Sequence, residues 1–250
     1  MVNGNYVNGD VEIFYAKSTQ PNHKVCMHIT SKHIELLNNS IRNLVNLKME
    51  YWIGSTMDMD AFLCCAEKNL SELEGIVFVD DPAMEERETS KLGMFFEVDH
   101  NNISHYNQRW GINITSEGKY IALSPNEINN FYDTNKMSFK PYRGTLNIIS
   151  ELVFLHEIGH LATSVTDNIY RQHRTECESQ ANWFASLNLD FTKKYLLGEK
   201  TKFQPPEYQD YFTNPRLMPG QVFVNPCNGT IIDVKLYDKK VYDMIQKLRR

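Results

Sequence analysis

The chain has 250 residues, a formal net charge of −5 and a hydrophobic fraction of 42%, enough for one large domain or a core with appendages. The acidic balance argues against a nucleic-acid-binding surface, no stretch approaches the ~20 apolar residues of a membrane span, and the first twenty residues carry no secretory-signal pattern. Cys26, Cys64, Cys65, Cys177 and Cys227 are odd in number and form no CxxC pair, which fits free thiols in a reducing, cytoplasmic compartment.

Residues 1–10, with their Asn-Gly pairs, read as a turn-rich start. Residues 11–16 and 24–29 alternate as a short pair of strands would. Ser31 is placed to cap a helix over 32–51, with Ile34, Leu37, Ile41, Leu44, Val45 and Met49 on one stripe. Gly54-Ser55-Thr56 breaks it, and a second helix is expected over about 59–73. Two helices around a turn raise the idea of a DNA reader, but Asp58, Asp60, Glu67, Glu72 and Glu74 would then face phosphates. A helical wall against the core is the simpler reading.

Strands are expected over 75–80, 92–98, 111–115 and 119–123, with a charged loop over 81–90 and a turn at Asp99-His100-Asn101-Asn102. They predict a mostly antiparallel sheet, with 119–124 as the edge that would pair with an extended peptide. His100 and His105 read as surface or turn residues before a strand. Residues 124–144 read as a long polar and aromatic loop, a rim or lid.

The chemistry lies in His156-Glu157-Ile158-Gly159-His160. On a helix, positions four apart share a face, so both imidazoles can meet one metal ion. Ile148, Ile149, Leu152, Val153, Leu155, Ile158, Leu161 and Ala162 give the surrounding run helical spacing, and Ile149 and Val153 share the histidine face. Two His ligands, one carboxylate and one open position describe a catalytic zinc site, with Glu157 as general base toward an activated water.

The third ligand is sought downstream, where Thr175 can cap a helix that carries Glu176 and Glu178. Glu178 is preferred, because it shares a face with Ala181, Asn182 and Ala185, whose small side chains permit close approach; Glu176 shares its face with Ser179, Gln180 and Trp183. Asn182 is placed to hydrogen-bond a ligand histidine from behind. Tyr170 and His173 are the candidates for stabilising an oxyanion over the metal. Cys177 reads as packing.

His156 to Leu161, followed by Glu178, Ala181, Asn182, Phe184 and Ala185, resembles the ImmA/IrrE family of bacterial zinc metallopeptidases, and Arg143 with the apolar run into His156 is similar to that family's lead-in. The resemblance spans roughly residues 75–190. It implies an α+β fold with a gluzincin-like core, His156, His160 and Glu178 on zinc, and Glu157 as catalyst. It also implies cytosolic cleavage of a protein substrate, in known members often a repressor. The chain departs from the family at Tyr170-Arg171-Gln172-His173-Arg174 and at Ser186-Leu187-Asn188-Leu189-Asp190.

After Asp190 a Pro- and aromatic-rich stretch leads to an expected hairpin, strands over 221–224 and 230–236, and then a C-terminal helix over 238–250. The expected organisation is an N-terminal region over 1–74, a metallopeptidase core over 75–197 and an extension over 198–250. The alternatives are a toxin or effector protease using the same site, and a zinc-stabilised sensing or binding module with little hydrolysis.

Overall fold

The computed structural model describes residues 11–53, 59–80, 92–139, 145–164, 167–178, 180–181, 184–185, 219–224 and 231–238. The turn-rich start over 1–10, the charged loop over 81–90, Arg143 and the C-terminal helix expected after Asp238 lie outside them.

The fold is mixed α+β. Its main sheet holds β1 (Glu12–Tyr15), β3 (Leu73–Phe78), β4 (Gly93–Val98) and β5 (Gly118–Leu123) in the order β1-β3-β5-β4. The β1–β3 and β3–β5 pairings are parallel and only β4–β5 is antiparallel, which corrects the expectation of a mostly antiparallel sheet. The centre of a parallel sheet is covered on both faces, and Ile76, Val77 and Phe78 are accordingly all fully buried. The expected edge, 119–124, is therefore interior: β5 is paired on both sides, and among the described residues β1 and β4 are the outer strands.

Strand alternation sorts the core into two layers. Ile76, Phe78, Ile121 and Leu123 face a cluster built with α1 (Lys24–Glu50), α2 (Met59–Ser71), α4 (Pro125–Phe139) and α5 (Thr145–Ala162). Val77, Val79, Tyr120 and Ala122 face a smaller cluster with Tyr106 and Trp110 of α3 (Ile103–Trp110). β1, from the first 74 positions, and β3, β4 and β5, from about 75–197, thus share one sheet, and residues of both stretches share one hydrophobic cluster.

Three helices replace expected strand or loop. Residues 24–29 open α1 rather than forming a strand. Val25, Ile29, Leu36 and Ser40 continue one helical face, all buried, and His23 Nδ1 accepts from the Val25 N–H. Ser31 is inside this helix, and its hydroxyl donates to the His28 carbonyl instead of capping. The expected loop over 124–144 contains α4, entered through Ser124-Pro125-Asn126-Glu127: the Ser124 hydroxyl accepts from the Glu127 N–H at 3.3 Å, and Pro125 fills the first helical position. After the expected turn, where Asp99 Oδ1 takes the Asn101 and Asn102 N–H groups, the chain forms α3, which carries His105. Gly111 ends it in the left-handed region (φ 64°), and no strand follows at 111–115. Ile114 spends both backbone groups on the Asn107 side-chain amide, at 2.7 and 2.8 Å, so it needs no strand partner.

A second sheet orders β2 (Tyr51–Ile53), β7 (Ile231–Asp238) and β6 (Pro219–Val224), all antiparallel. The β6–β7 pair is the expected hairpin, and its turn lies outside the described residues.

The site helix is α5. It is apolar on nearly every side, as a helix in the middle of a core must be. α1, α2, α4, β4 and β5 all pack on it. Its buried Glu151 meets His28 of α1 at 2.7 Å. Its last carbonyl, on Ala162, accepts from the Asn69 amide of α2, and Asn69 is itself held by Lys119 of β5. α5 is thus tied to α1 through Glu151 in its first half and to α2 at its last residue.

Candidate metal centre

α5 presents His156 and His160 one turn apart, with ring centroids 4.7 Å apart and planes nearly perpendicular. Residues 167–172 form α6 (Asp167–Gln172), and helical residues 174–178 follow directly, the Cys177 N–H bonding the His173 carbonyl. Thr175 therefore lies within the helix rather than at its cap. This turn delivers Glu178 to the histidines. Its Oε2 is 3.2 Å from His156 Nε2 and 3.6 Å from His160 Nε2, and the two Nε2 atoms are 3.0 Å apart.

These separations fit a shared cation. Ligand atoms at zinc bonding distances of about 2.0–2.1 Å in a tetrahedral arrangement lie about 3.3 Å from one another. Two imidazole nitrogens and a carboxylate oxygen crowd one point, and all three can offer lone pairs to it. Among the described residues this is the one group of three His, Cys, Asp or Glu side chains able to hold a metal ion. Glu176 does not join it.

The close approach of the two ligand-bearing segments has a local cause. Gly159 of α5 faces Ala181, and the absence of side-chain bulk on both lets the backbones meet. Burial alone would raise the Glu178 carboxyl, but hydrogen bonds to His156 and His160, and then to Tyr170, hold it well below the usual carboxylate range. It stays ionised, as a ligand must.

Glu157 points from α5 toward β4. It is buried, 5% exposed, and takes a hydrogen bond from the Phe95 backbone. Burial pushes its carboxyl up, and the neighbouring His156 and His160 only partly offset that. Space for it exists because position 93 is glycine: a Cβ there would stand 2.8 Å from Glu157 Oε1. Gly93 and Phe95 were not readable as site residues, because only the sheet order brings β4 to α5.

A cleft of about 430 Å³ opens over the cluster. β4 from Gly93 to Glu97 forms one wall; His156, Glu157 and His160 form its floor, and Tyr170, Arg174 and Glu178 close the far side. Tyr170 is committed: its hydroxyl donates to Glu178 Oε1 at 2.6 Å. His173 does not line the cleft and serves the backbone junction between α6 and the next helical turn. Cys177 lines the cleft but is buried, and it is not in the ligand group. Asn182 lies outside the described residues.

Among the described residues no helix is long and apolar enough to cross a membrane. No protein-family model, curated protein or solved structure matches this chain.

Proposed function

We propose that the protein is a zinc-dependent endopeptidase of the ImmA/IrrE type, acting in the cytoplasm on a protein substrate such as a transcriptional repressor. The convergence of His156 Nε2, His160 Nε2 and Glu178 Oε2, beside a buried Glu157 in an open cleft, carries this reading. Two imidazoles and one carboxylate with an open side suit a catalytic zinc better than a closed structural one. Bound there, zinc would supply Lewis acidity toward water and a substrate carbonyl.

The chain's own groups do the rest. Glu157 accepts the proton of the attacking water and passes it to the leaving amine. Burial, offset only in part by His156 and His160, raises its carboxyl, which makes it a stronger proton acceptor than an exposed glutamate. Among the described residues β4 pairs only with β5, so a substrate in extended form fits along its other side, next to the cleft, by backbone pairing.

The test uses purified full-length protein and cells. About one zinc per chain is expected, lost in His156→Ala and Glu178→Ala but kept in Glu176→Ala. Glu157→Gln should keep the zinc and lower proteolysis by roughly 10²-fold or more, read by comparing cellular protein fragments with those of wild type. Cells that behave as wild type with Glu157→Gln but fail with zinc-free His156→Ala would show a binding module instead of a peptidase.

A further inference from the structure

We propose that Tyr170 is a positioning residue that keeps Glu178 a one-oxygen ligand and so preserves the open side of the metal centre. This rests on the zinc reading above and deepens it. A carboxylate can bind a metal through one oxygen or both. In this structure the two oxygens of Glu178 have different partners. Oε2 faces both histidines, at 3.2 and 3.6 Å, while Oε1 accepts the Tyr170 hydroxyl at 2.6 Å. That length is in the range of a charge-assisted O–H···O⁻ bond, about 2.5–2.7 Å, roughly twice as strong as a neutral one.

The hydroxyl is not free to wander. Tyr170 sits on α6, eight residues before Glu178, and its ring packs edge-on to His160, centroids 5.9 Å apart at 80°. The same histidine that offers a ligand nitrogen therefore fixes the ring that restrains the carboxylate. Without the hydroxyl, Oε1 is released within one carboxylate's rotation of the point where Oε2 already sits. Two oxygens on the metal would fill part of the space that a water and a substrate carbonyl need. The phenol's proton is spent on Glu178, which assigns Tyr170 to ligand control and not to the oxyanion role expected for it.

Cobalt-substituted wild type and Tyr170→Phe test this without any substrate. Tyr170→Phe keeps the ring against His160 and removes only the hydroxyl. Its visible cobalt absorption should lose intensity relative to wild type, as a four-coordinate centre becomes five-coordinate. X-ray absorption on zinc-loaded wild type should count three protein atoms and one solvent atom, and this second measurement stands even if the variant does not fold. An unchanged cobalt spectrum in folded Tyr170→Phe overturns the proposal, also when metal affinity drops by about 10-fold, because Tyr170 would then only support the helix. Two Glu178 oxygens on zinc in wild type overturn it as well. A wild type that takes up neither metal overturns the zinc reading itself, a result distinct from either of these.

Discussion

Gly159 and Ala181 set the distance between the helix that carries the two histidines and the segment that carries Glu178. A methyl on Gly159 would stand 2.8 Å from the Ala181 Cα, 2.9 Å from its carbonyl oxygen and 3.1 Å from Phe184 Cβ. Two of these three atoms are backbone, and neither can turn aside as a side-chain tip can.

Gly159→Ala therefore sets two effects against each other. Alanine gains about 1 kcal/mol over glycine in a helix interior. Overpacking a tight contact costs about 1–3 kcal/mol, and here relief requires moving a helix. The overpacking term wins, so the variant should be less stable in thermal unfolding of metal-free protein. It should also bind zinc on the order of 10-fold more weakly in a competition titration, because Glu178 moves with Ala181. A Gly159→Ala protein that is more stable and binds zinc as wild type does would show that this contact does not set the ligand spacing.

Gly93 makes the corresponding allowance for the Glu157 carboxylate. A Cβ at 93 would meet Glu157 Oε1 at 2.8 Å, Glu157 Cγ at 2.9 Å and Val153 Cγ1 at 3.1 Å. Val153 and Glu157 are both buried, so the carboxylate has little room to retreat. Gly93→Ala should leave zinc content unchanged and slow proteolysis by about 10²-fold, the usual scale for a misplacement near 1 Å. Wild-type turnover in this variant would place the proton-transfer role elsewhere than on Glu157 as it sits here.

The legible parts of the site are those set by local spacing. His156 and His160 share a face because they are one turn apart, and Glu178 was separable from Glu176 because small residues follow it on one face only. The rest depended on tertiary partners. Residues 24–29 alternate well enough for a strand, and only the continuation of the same face to Leu36 and Ser40 makes them helix. Residues 111–115 look like a strand, but a side-chain amide from Asn107 takes the hydrogen bonds that a neighbouring strand would have used. Strand order is set by which apolar faces meet, so neither the interior place of β5 nor the approach of β4 to Glu157 follows from any window of sequence. α4 is different: Ser124-Pro125-Asn126-Glu127 is a helix-start signature with Ile128, Phe131 and Tyr132 on a helical face behind it, and the polar residues between obscured it.

Cysteine reactivity gives a test of the core beside the site. Cys177 lines the cleft next to Glu178, yet burial, then the Glu178 and Glu176 carboxylates, push its thiol up to about 11. Cys26, on α1, is pushed up to about 12 by burial and then by Asp80. An ordinary thiol titrates near 8.5, so in the unfolded chain both would ionise between about pH 8 and 9. The folded state holds its protons longer, and its stability therefore falls as pH rises from about 8.5 through 11 and 12. Below that window the thiolate, which is the reactive form, is scarce in the native protein. Iodoacetamide at pH 8 should leave both residues unmodified in native protein and label both in urea, read by peptide mass spectrometry. Replacing both by alanine should flatten the loss of stability between pH 8.5 and pH 10 that wild type shows, a window on the order of the one set by these shifts. Rapid native labelling of Cys177 at pH 8 would mean that its thiol is ionised and open to the cleft, and that the packing around Glu178 differs from the one described.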